Sequence, residues 1–241
     1  MGDWPQGYGR LDFESVDSTL DEARRQAPGL AGPTWIFARH QSRARGRRGR
    51  AWQQPEGNFS ATLLLPAPGA PARAALRSFV AALALSDVLE GLGVDSALKW
   101  PNDVLVGGGK LAGILLEGLP GGALAIGIGV NLAAAPRTDT LEAGALAPVA
   151  LAERGVKIAP SDFLTLLARA YDAREASFAT YGFAPIRAAW LARAARLGGP
   201  IRVRLAQETL AGSFKDVDAD GRLVLSTAQG ERRIAAGEVF F

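Results

Sequence analysis

The sequence predicts an α+β fold: a largely antiparallel sheet covered by helices, followed by a small C-terminal β-barrel. Three observations predict it. Three short apolar runs, Ala97–Trp100, Leu111–Glu117 and Leu124–Leu132, are separated by glycine-rich breaks at roughly ten-residue spacing, the signature of successive hairpins. Apolar residues recur at helical spacing after Pro71 and again after Ser161. From Gly198-Gly199-Pro200 onward the period falls to two, with Ile201, Val203 and Leu205 alternating with polar residues.

The elements follow in order. After an N-terminal lead-in, Ser18 and Asp21 stand three apart before the helix-forming run Leu20–Gln26, the pattern of a capping box, and Pro28-Gly29 ends the helix. Thr34–Ala38 and Asn58–Leu65 are rich in β-formers and predict strands, with an Arg/Gly-rich loop, Gln41–Trp52, between them. Pro71 opens a buried helix carrying Leu76, Phe79, Val80 and Leu83, which closes at Gly91 and Gly93. After the three hairpin strands, Ala133–Ala150 is Ala/Pro-rich and predicts a long loop. Ser161-Asp162 then caps a helix holding Phe163, Leu164, Leu167 and Tyr171, and Pro185 starts another through Trp190, the pair covering one sheet face. In the barrel an Asp220-Gly221 turn separates Val217 from Leu223 and Leu225. The expected units are 1–197 and 198–241.

Composition limits the chemistry. The chain has 241 residues, 48% hydrophobic and 21% charged, an ordinary globular balance. With no Cys and one His, His40, thiolate catalysis, disulfides, Cys-based zinc and multi-His metal cages are excluded. The N-terminus lacks the pattern of a secretory signal. The charge-free stretches Gly118–Pro136 and Ala143–Ala152 are punctuated by Gly or Pro and do not read as the roughly 20 apolar residues of a spanning helix. The reading is a soluble cytoplasmic protein that does not engage a membrane. A net charge of +3 is too slight for a general nucleic-acid binder, yet six Arg fall between Arg39 and Arg50.

Several motifs fail. Gly127-Ile-Gly129 lacks the third Gly of a dinucleotide fingerprint, Leu132 standing there, and Gly109-Lys110 is followed by Leu111 where a phosphate loop needs Ser or Thr. Asp216-Val-Asp218-Ala-Asp220-Gly221 imitates a calcium loop but has Thr227 where a bidentate Glu is required, so a hairpin turn is the reading.

Four segments hold. Gln41-Ser-Arg-Ala-Arg45-Gly46-Arg47-Arg48-Gly49-Arg50-Ala-Trp52 joins backbone freedom to guanidinium donors and suits an anion, the alternative being a solvated or nucleic-acid-facing patch. Lys99-Trp100-Pro101-Asn102-Asp103 is a polar cluster directly after a strand, where Asn and Asp also serve ordinary turns. Lys110-Leu-Ala-Gly113-Ile-Leu-Leu-Glu117 sets a lone Lys at the mouth of an apolar strand in which Gly113 permits close approach to the backbone. Ile126-Gly-Ile-Gly-Val-Asn131-Leu ends another strand in Asn131.

In this order, together with Asp17-Ser18-Thr19, these segments resemble the biotin–protein ligase family over most of residues 15–132, and Gly212–Leu225 looks like that family's small SH3-like barrel. The resemblance implies a class II synthetase-like catalytic domain built on a mixed sheet. It also implies a two-step enzyme: biotin and Mg-ATP give biotinyl-5′-adenylate, and a lysine of a biotin carboxyl carrier protein then attacks the anhydride. Ser18, Thr19, Gln41, Arg45, Gly46, Arg47 and Lys110 fall on biotin-contacting positions, with the Gly113 backbone beside them. Arg50, Trp52, Asn102, Asp103 and Asn131 fall on the nucleotide side. Arg47 and Lys110 are candidates for neutralising the two anions that meet in the first step. Asp103 is the candidate for holding Mg²⁺ or for orienting the incoming lysine.

The chain departs from the family pattern at Leu20, where Asn is frequent, and at Ala44, where Gly is usual. Its first motif begins within twenty residues, so a DNA-binding helix-turn-helix and repressor function are not expected. The sequence is compatible with a homodimer. Two rival readings fit less well. A lipoate ligase fits the Arg/Gly loop and Lys99–Asp103 less well. A nucleic-acid-binding protein would need an aromatic platform that the barrel, with Phe214, Phe240 and Phe241, does not offer.

Overall fold

The computed structural model describes residues 3–137 and 145–241. Seven strands form one sheet in the order β1-β2-β3-β7-β6-β5-β4. They are β1 (Gly9–Val16), β2 (Thr34–Gln41), β3 (Phe59–Leu65), β4 (Ala97–Lys99), β5 (Asp103–Val106), β6 (Gly109–Gly118) and β7 (Leu124–Val130). The sheet is mixed, as the resemblance implies, because β1 runs parallel to β2 while the other pairings are antiparallel.

Two of these strands were not expected. The N-terminal lead-in is strand β1, in which Leu11 and Phe13 face a small apolar cluster and charged residues line the sheet edge. Strand β5 lies within what read as a turn, because Asn102 and Asp103 carry turn propensity while Val104–Val106 is fully buried. Between β4 and β5 the chain turns through a cis Trp100–Pro101 peptide.

The helices pack on the apolar face. The helix after Pro71 is two pieces, α2 (Pro71–Ala75) and α3 (Arg77–Gly91), separated at Leu76. Helix α4 (Pro160–Tyr181) starts at its own Pro, with Ala159 at the cap position and no side-chain cap, so Ser161-Asp162 is inside the first turn instead of capping it. Gly182, at φ 73°, ends α4, and α5 (Phe183–Leu191) begins two residues ahead of Pro185. Helices α3 and α4 cover the sheet, whereas α5 packs on them and on the C-terminal barrel, a correction to the expectation that α4 and α5 cover the sheet as a pair.

On the opposite face lies α1 (Thr19–Gln26), with Ser18 as N-cap accepting from the Leu20 N–H at 3.2 Å. The capping box does not close. The Ser18 N–H goes to Asp17 Oδ1 at 2.8 Å, and Asp21 is drawn to Arg24 and Arg45.

The second sheet is antiparallel, in the order β11-β10-β9-β8-β12: β8 (Pro200–Arg204), β9 (Thr209–Val217), β10 (Leu223–Thr227), β11 (Gly230–Ile234) and β12 (Glu238–Phe240). Its apolar residues join the same hydrophobic core as the larger sheet and helices. Trp190 of α5 is the joint, its ring 5.2 Å from Phe79 and 6.4 Å from Phe214 between centroids. The Asp216–Gly221 stretch is a hairpin turn in which Asp218 Oδ1 accepts from the backbone of Asp220 and Arg222. Its tip presses on the core: a Cβ at Gly221 would meet Leu76 at 2.9 Å, and the Gly221 carbonyl accepts from Trp100 Nε1 at 3.1 Å.

Of the long loop after β7, 138–144 lies outside the described residues. Its returning leg hydrogen-bonds β6, the Lys110 N–H to the Ala147 carbonyl at 2.8 Å and the Val149 N–H to the Lys110 carbonyl at 3.0 Å.

Candidate active site

The sequence of β7 builds the floor of a cleft. In Ile126-Gly127-Ile128-Gly129-Val130-Asn131, the branched residues drop into the core, so Gly127, Gly129 and Asn131 alternate onto the other face. Strand β3 alternates likewise: Phe59, Ala61, Leu63 and Leu65 join the core while Ser60 and Thr62 point to the other face, Ser60 lining the cleft and Thr62 buried against Thr19. Cross-strand register then sets one row across five strands: Ser60 beside Gly129, Gly129 beside Gly113, Gly113 beside Asp103, and Asp103 beside Lys99. The middle of the row is bare backbone and its far end is charged.

Trp52 lies on the bare part. A Cβ at Gly129 would come within 2.6 Å of the indole, and one at Gly113 within 3.2 Å. The loop holding Trp52 is pinned by the Trp52 N–H to the Ala44 carbonyl at 2.9 Å. Above this floor the cleft has a volume of about 540 Å³, inside the ~300–1,000 Å³ range of small-molecule sites.

All thirteen residues singled out from the sequence line this one cleft: Ser18, Thr19, Gln41, Arg45, Gly46, Arg47, Arg50, Trp52, Asn102, Asp103, Lys110, Gly113 and Asn131. At one end the groups are neutral. Gln41 Oε1 accepts from the Thr19 N–H at 2.7 Å and its hydroxyl at 3.0 Å, and the Thr62 hydroxyl donates to Thr19 Oγ1 at 2.9 Å. These bonds hold Thr19 and Gln41 against each other and against β3.

The other end is cationic. Lys110 Nζ stands 2.6 Å from Asp103 Oδ1 and 5.7 Å from the Trp52 ring centre, and Lys99 Nζ stands 3.1 Å from Asp103 Oδ2. Burial alone would raise the Asp103 carboxyl, but the two ammonium groups outweigh it and hold it below the usual carboxylate range. Two lysines on one carboxylate leave a positive excess. Arg47 adds to it: its guanidinium bonds the neutral Gly237 carbonyl at 3.1 Å and Asn102 Oδ1 at 3.4 Å, and burial pulls its pKa down. It is therefore the guanidinium poised for an incoming anion.

The other arginines are committed. Arg45 spans Asp21 at 2.5 Å and Glu117 at 3.1 Å, and these carboxylates push its pKa further up. It braces the first turn of α1 against β6. Arg48 and Arg50 reach Glu238 of the barrel at 3.0 and 2.7 Å, and Arg204 joins them at 2.6 Å. The Arg50 hydrogen bond leads the causes that bring the Glu238 carboxyl down to about 2. The arginine loop is thus latched to the C-terminal sheet.

Asn131 is 1% exposed, donates to the Val149 carbonyl at 3.1 Å, and leaves Oδ1 without a hydrogen-bond partner among the described residues. Asp103 fits poorly as a resident Mg²⁺ ligand, since each oxygen already faces an ammonium. Among the described residues no group of three His, Cys, Asp or Glu side chains could hold a metal ion. His40 is exposed on β2, away from the cleft.

Lys99, Ser60 and Glu238 were not among the sequence-selected site residues. The alternation of β3 was the available signal for Ser60, and the tight spacing Lys99–Asp103 was that for Lys99. Nothing local marks Glu238, which reaches the cleft only through the packing of the two sheets.

The geometry offers a neutral polar pocket and a cationic pocket on either side of an indole. That suits binding an acid beside a second anion. The model for "Biotin/lipoate A/B protein ligase family" matches residues 12–132, and that for "Biotin protein ligase C terminal domain" matches 197–241. The chain belongs to the biotin/lipoate A/B protein ligase family. It is 52% identical over 234 residues to a biotin–[acetyl-CoA-carboxylase] ligase of Paracoccus denitrificans, covering 94% of this chain and 98% of the relative. The bifunctional ligase/repressor BirA of Escherichia coli is 31% identical over 230 residues, covering 91% and 72%. The fold matches that of biotin protein ligase from Aquifex aeolicus in complex with biotin and ATP, with a TM-score of 0.83, 24% identity, and 96% and 97% of the two chains covered. No helix among the described residues is long and apolar enough to cross a membrane.

Proposed function

We propose that this chain is an ATP-dependent biotin–protein ligase that joins biotin to a lysine of a biotin carboxyl carrier protein in two steps, both in this cleft, and that it works in the cytoplasm. The observation that carries the reading is the row of bare backbone linking a neutral pocket to an excess of buried cations, in a chain of this family.

Ser18, Thr19 and Gln41 supply the donors and acceptors that a ureido ring needs. The carboxylate then points along the floor toward Lys110 and Arg47. One carboxylate oxygen attacks the α-phosphorus of ATP, an O–P bond forms, and pyrophosphate leaves. Lys110 and Arg47 cancel the repulsion between the two anions as they meet. Mg²⁺ enters as the companion of the ATP phosphates. Asn102 and Asn131 lie on the nucleotide side with Arg50, and Trp52 separates the two pockets and shields the mixed anhydride from water.

In the second step the carrier lysine's neutral amine attacks the acyl carbon, the C–O bond to AMP breaks, and the amine proton is lost. Asp103, held below the ordinary carboxylate range, is a poor proton store, so its part is to attract and orient the ε-amine. The proposed division is a catalytic unit of 1–197 and a barrel of 198–241 that latches the arginine loop.

The test is transfer. Incubating the protein with biotin, Mg-ATP and a purified carrier domain should add one biotinyl group to the carrier by intact mass, and Lys→Arg at the acceptor should abolish the gain. A carrier left unmodified while the protein consumes ATP in the presence of biotin would contradict the second step.

A further inference from the structure

Ser60 is a buried polar group in this cleft that the mechanism above leaves unused. It is 2% exposed and its hydroxyl has no hydrogen-bond partner among the described residues, although it lines the cleft. An orphaned buried hydroxyl costs stability, and replacement by Ala would remove that cost.

Its place in the sheet says what it could meet. Ser60 precedes Thr62 by two residues on the same face of β3, about 7 Å along the strand, and Thr62 holds Thr19. In the other direction it is in register with Gly129, then Gly113, then Asp103, three strand spacings or about 14 Å away. It therefore stands at the neutral end of the floor, beside the Trp52 indole that rests on Gly129.

We propose that the Ser60 hydroxyl donates to the ring sulfur of biotin and is a specificity residue for it; this rests on the function proposed above. With the ureido group at Thr19 and Gln41 and the carboxylate directed to Lys110, the heteroatom left between them is the thioether sulfur, a weak acceptor. A hydroxyl emerging from the floor at that point is a fitting donor. The contact is made to a part of the substrate remote from the reacting carboxylate, so it acts on binding equally in ground and transition states.

The test is ATP–pyrophosphate exchange by wild type and Ser60→Ala with three acids: biotin, oxybiotin, in which an ether oxygen replaces the sulfur, and desthiobiotin, which lacks it. Ser60→Ala should raise KM for biotin about fivefold with little change in kcat, raise it more for oxybiotin, and leave desthiobiotin unchanged. The ligand-free variant should melt no lower than wild type. An equal rise for all three acids, or none with biotin, would overturn the proposal. Wild type inactive with every acid would instead sink the proposed function itself.

Discussion

Gly129→Ala isolates the role of the cleft floor. The backbone at Gly129 is ordinary strand, so alanine fits the chain; its Cβ, however, would come 2.6 Å from Trp52 Nε1 and Cε2 and 2.9 Å from Cζ2. Carbon contacts settle at roughly 3.5–4.0 Å, so the indole must retreat by about 1 Å. The cost falls on catalysis more than on folding, because no core contact is lost. A displacement of about 1 Å in a positioning group costs on the order of 10²-fold in rate, and kcat/KM for biotin-dependent pyrophosphate exchange should fall by that factor with little change in Tm. Gly113→Ala, whose Cβ would meet the indole at 3.2 Å, should lose less than about tenfold by the same scaling. A double-mutant cycle decides the cause: in a Trp52→Ala background, Gly129→Ala should add almost nothing. Full additivity, or a Gly129→Ala enzyme as active as wild type, would refute the claim that the floor works by seating Trp52.

Other outcomes follow from the same geometry. Arg47→Ala and Lys110→Ala should each slow single-turnover adenylate formation by on the order of 10²–10³-fold while circular dichroism stays unchanged, since each removes a cation aimed at developing charge. Glu238→Gln should loosen the arginine loop, read as faster hydrogen exchange across residues 46–50. Because the Glu238 carboxyl is depressed to about 2 in the fold, its contribution is full above the unfolded value of about 4.3 and is lost as pH falls from there toward 2, so the variant and wild type should converge in stability only in that acid range. Phe214→Ala empties the seat of Trp190 between the two sheets and should cost about 3–5 kcal/mol in denaturant unfolding, with one cooperative transition retained.

How much was legible in the sequence depends on how local the signal was. The strands β2, β3, β6 and β7, the helix after Ser18 and the switch to alternation at Gly198 all rest on signals within a single element, β-formers, apolar runs between glycine breaks, a capping pattern or a period of two, and these are where the structure has them. Strand β1 escaped because its charged edge diluted the alternation of Leu11 and Phe13. Strand β5 escaped because Asn102 and Asp103 are turn-formers whose neighbours, Val104–Val106, are only four residues long with the strand's first residue included. The site residues were reached through ordered motifs, and all thirteen share the cleft. What the motifs could not convey was occupancy: Arg45 and Arg50 look alike in sequence to Arg47, yet Asp21, Glu117 and Glu238, remote in the chain, claim the first two and leave Arg47 among neutral partners. Pairing of that kind is a property of packing, and no spacing rule encodes it.

The central claim is that this cleft activates the carboxylate of biotin on ATP. ATP–pyrophosphate exchange with Mg²⁺, comparing biotin, lipoate, octanoate and no acid, isolates that step without a carrier protein. The account predicts exchange that depends on biotin and is absent with the other two acids. Exchange driven by lipoate or octanoate in place of biotin would contradict the assignment of the neutral pocket, and exchange with none of the acids would contradict adenylation itself.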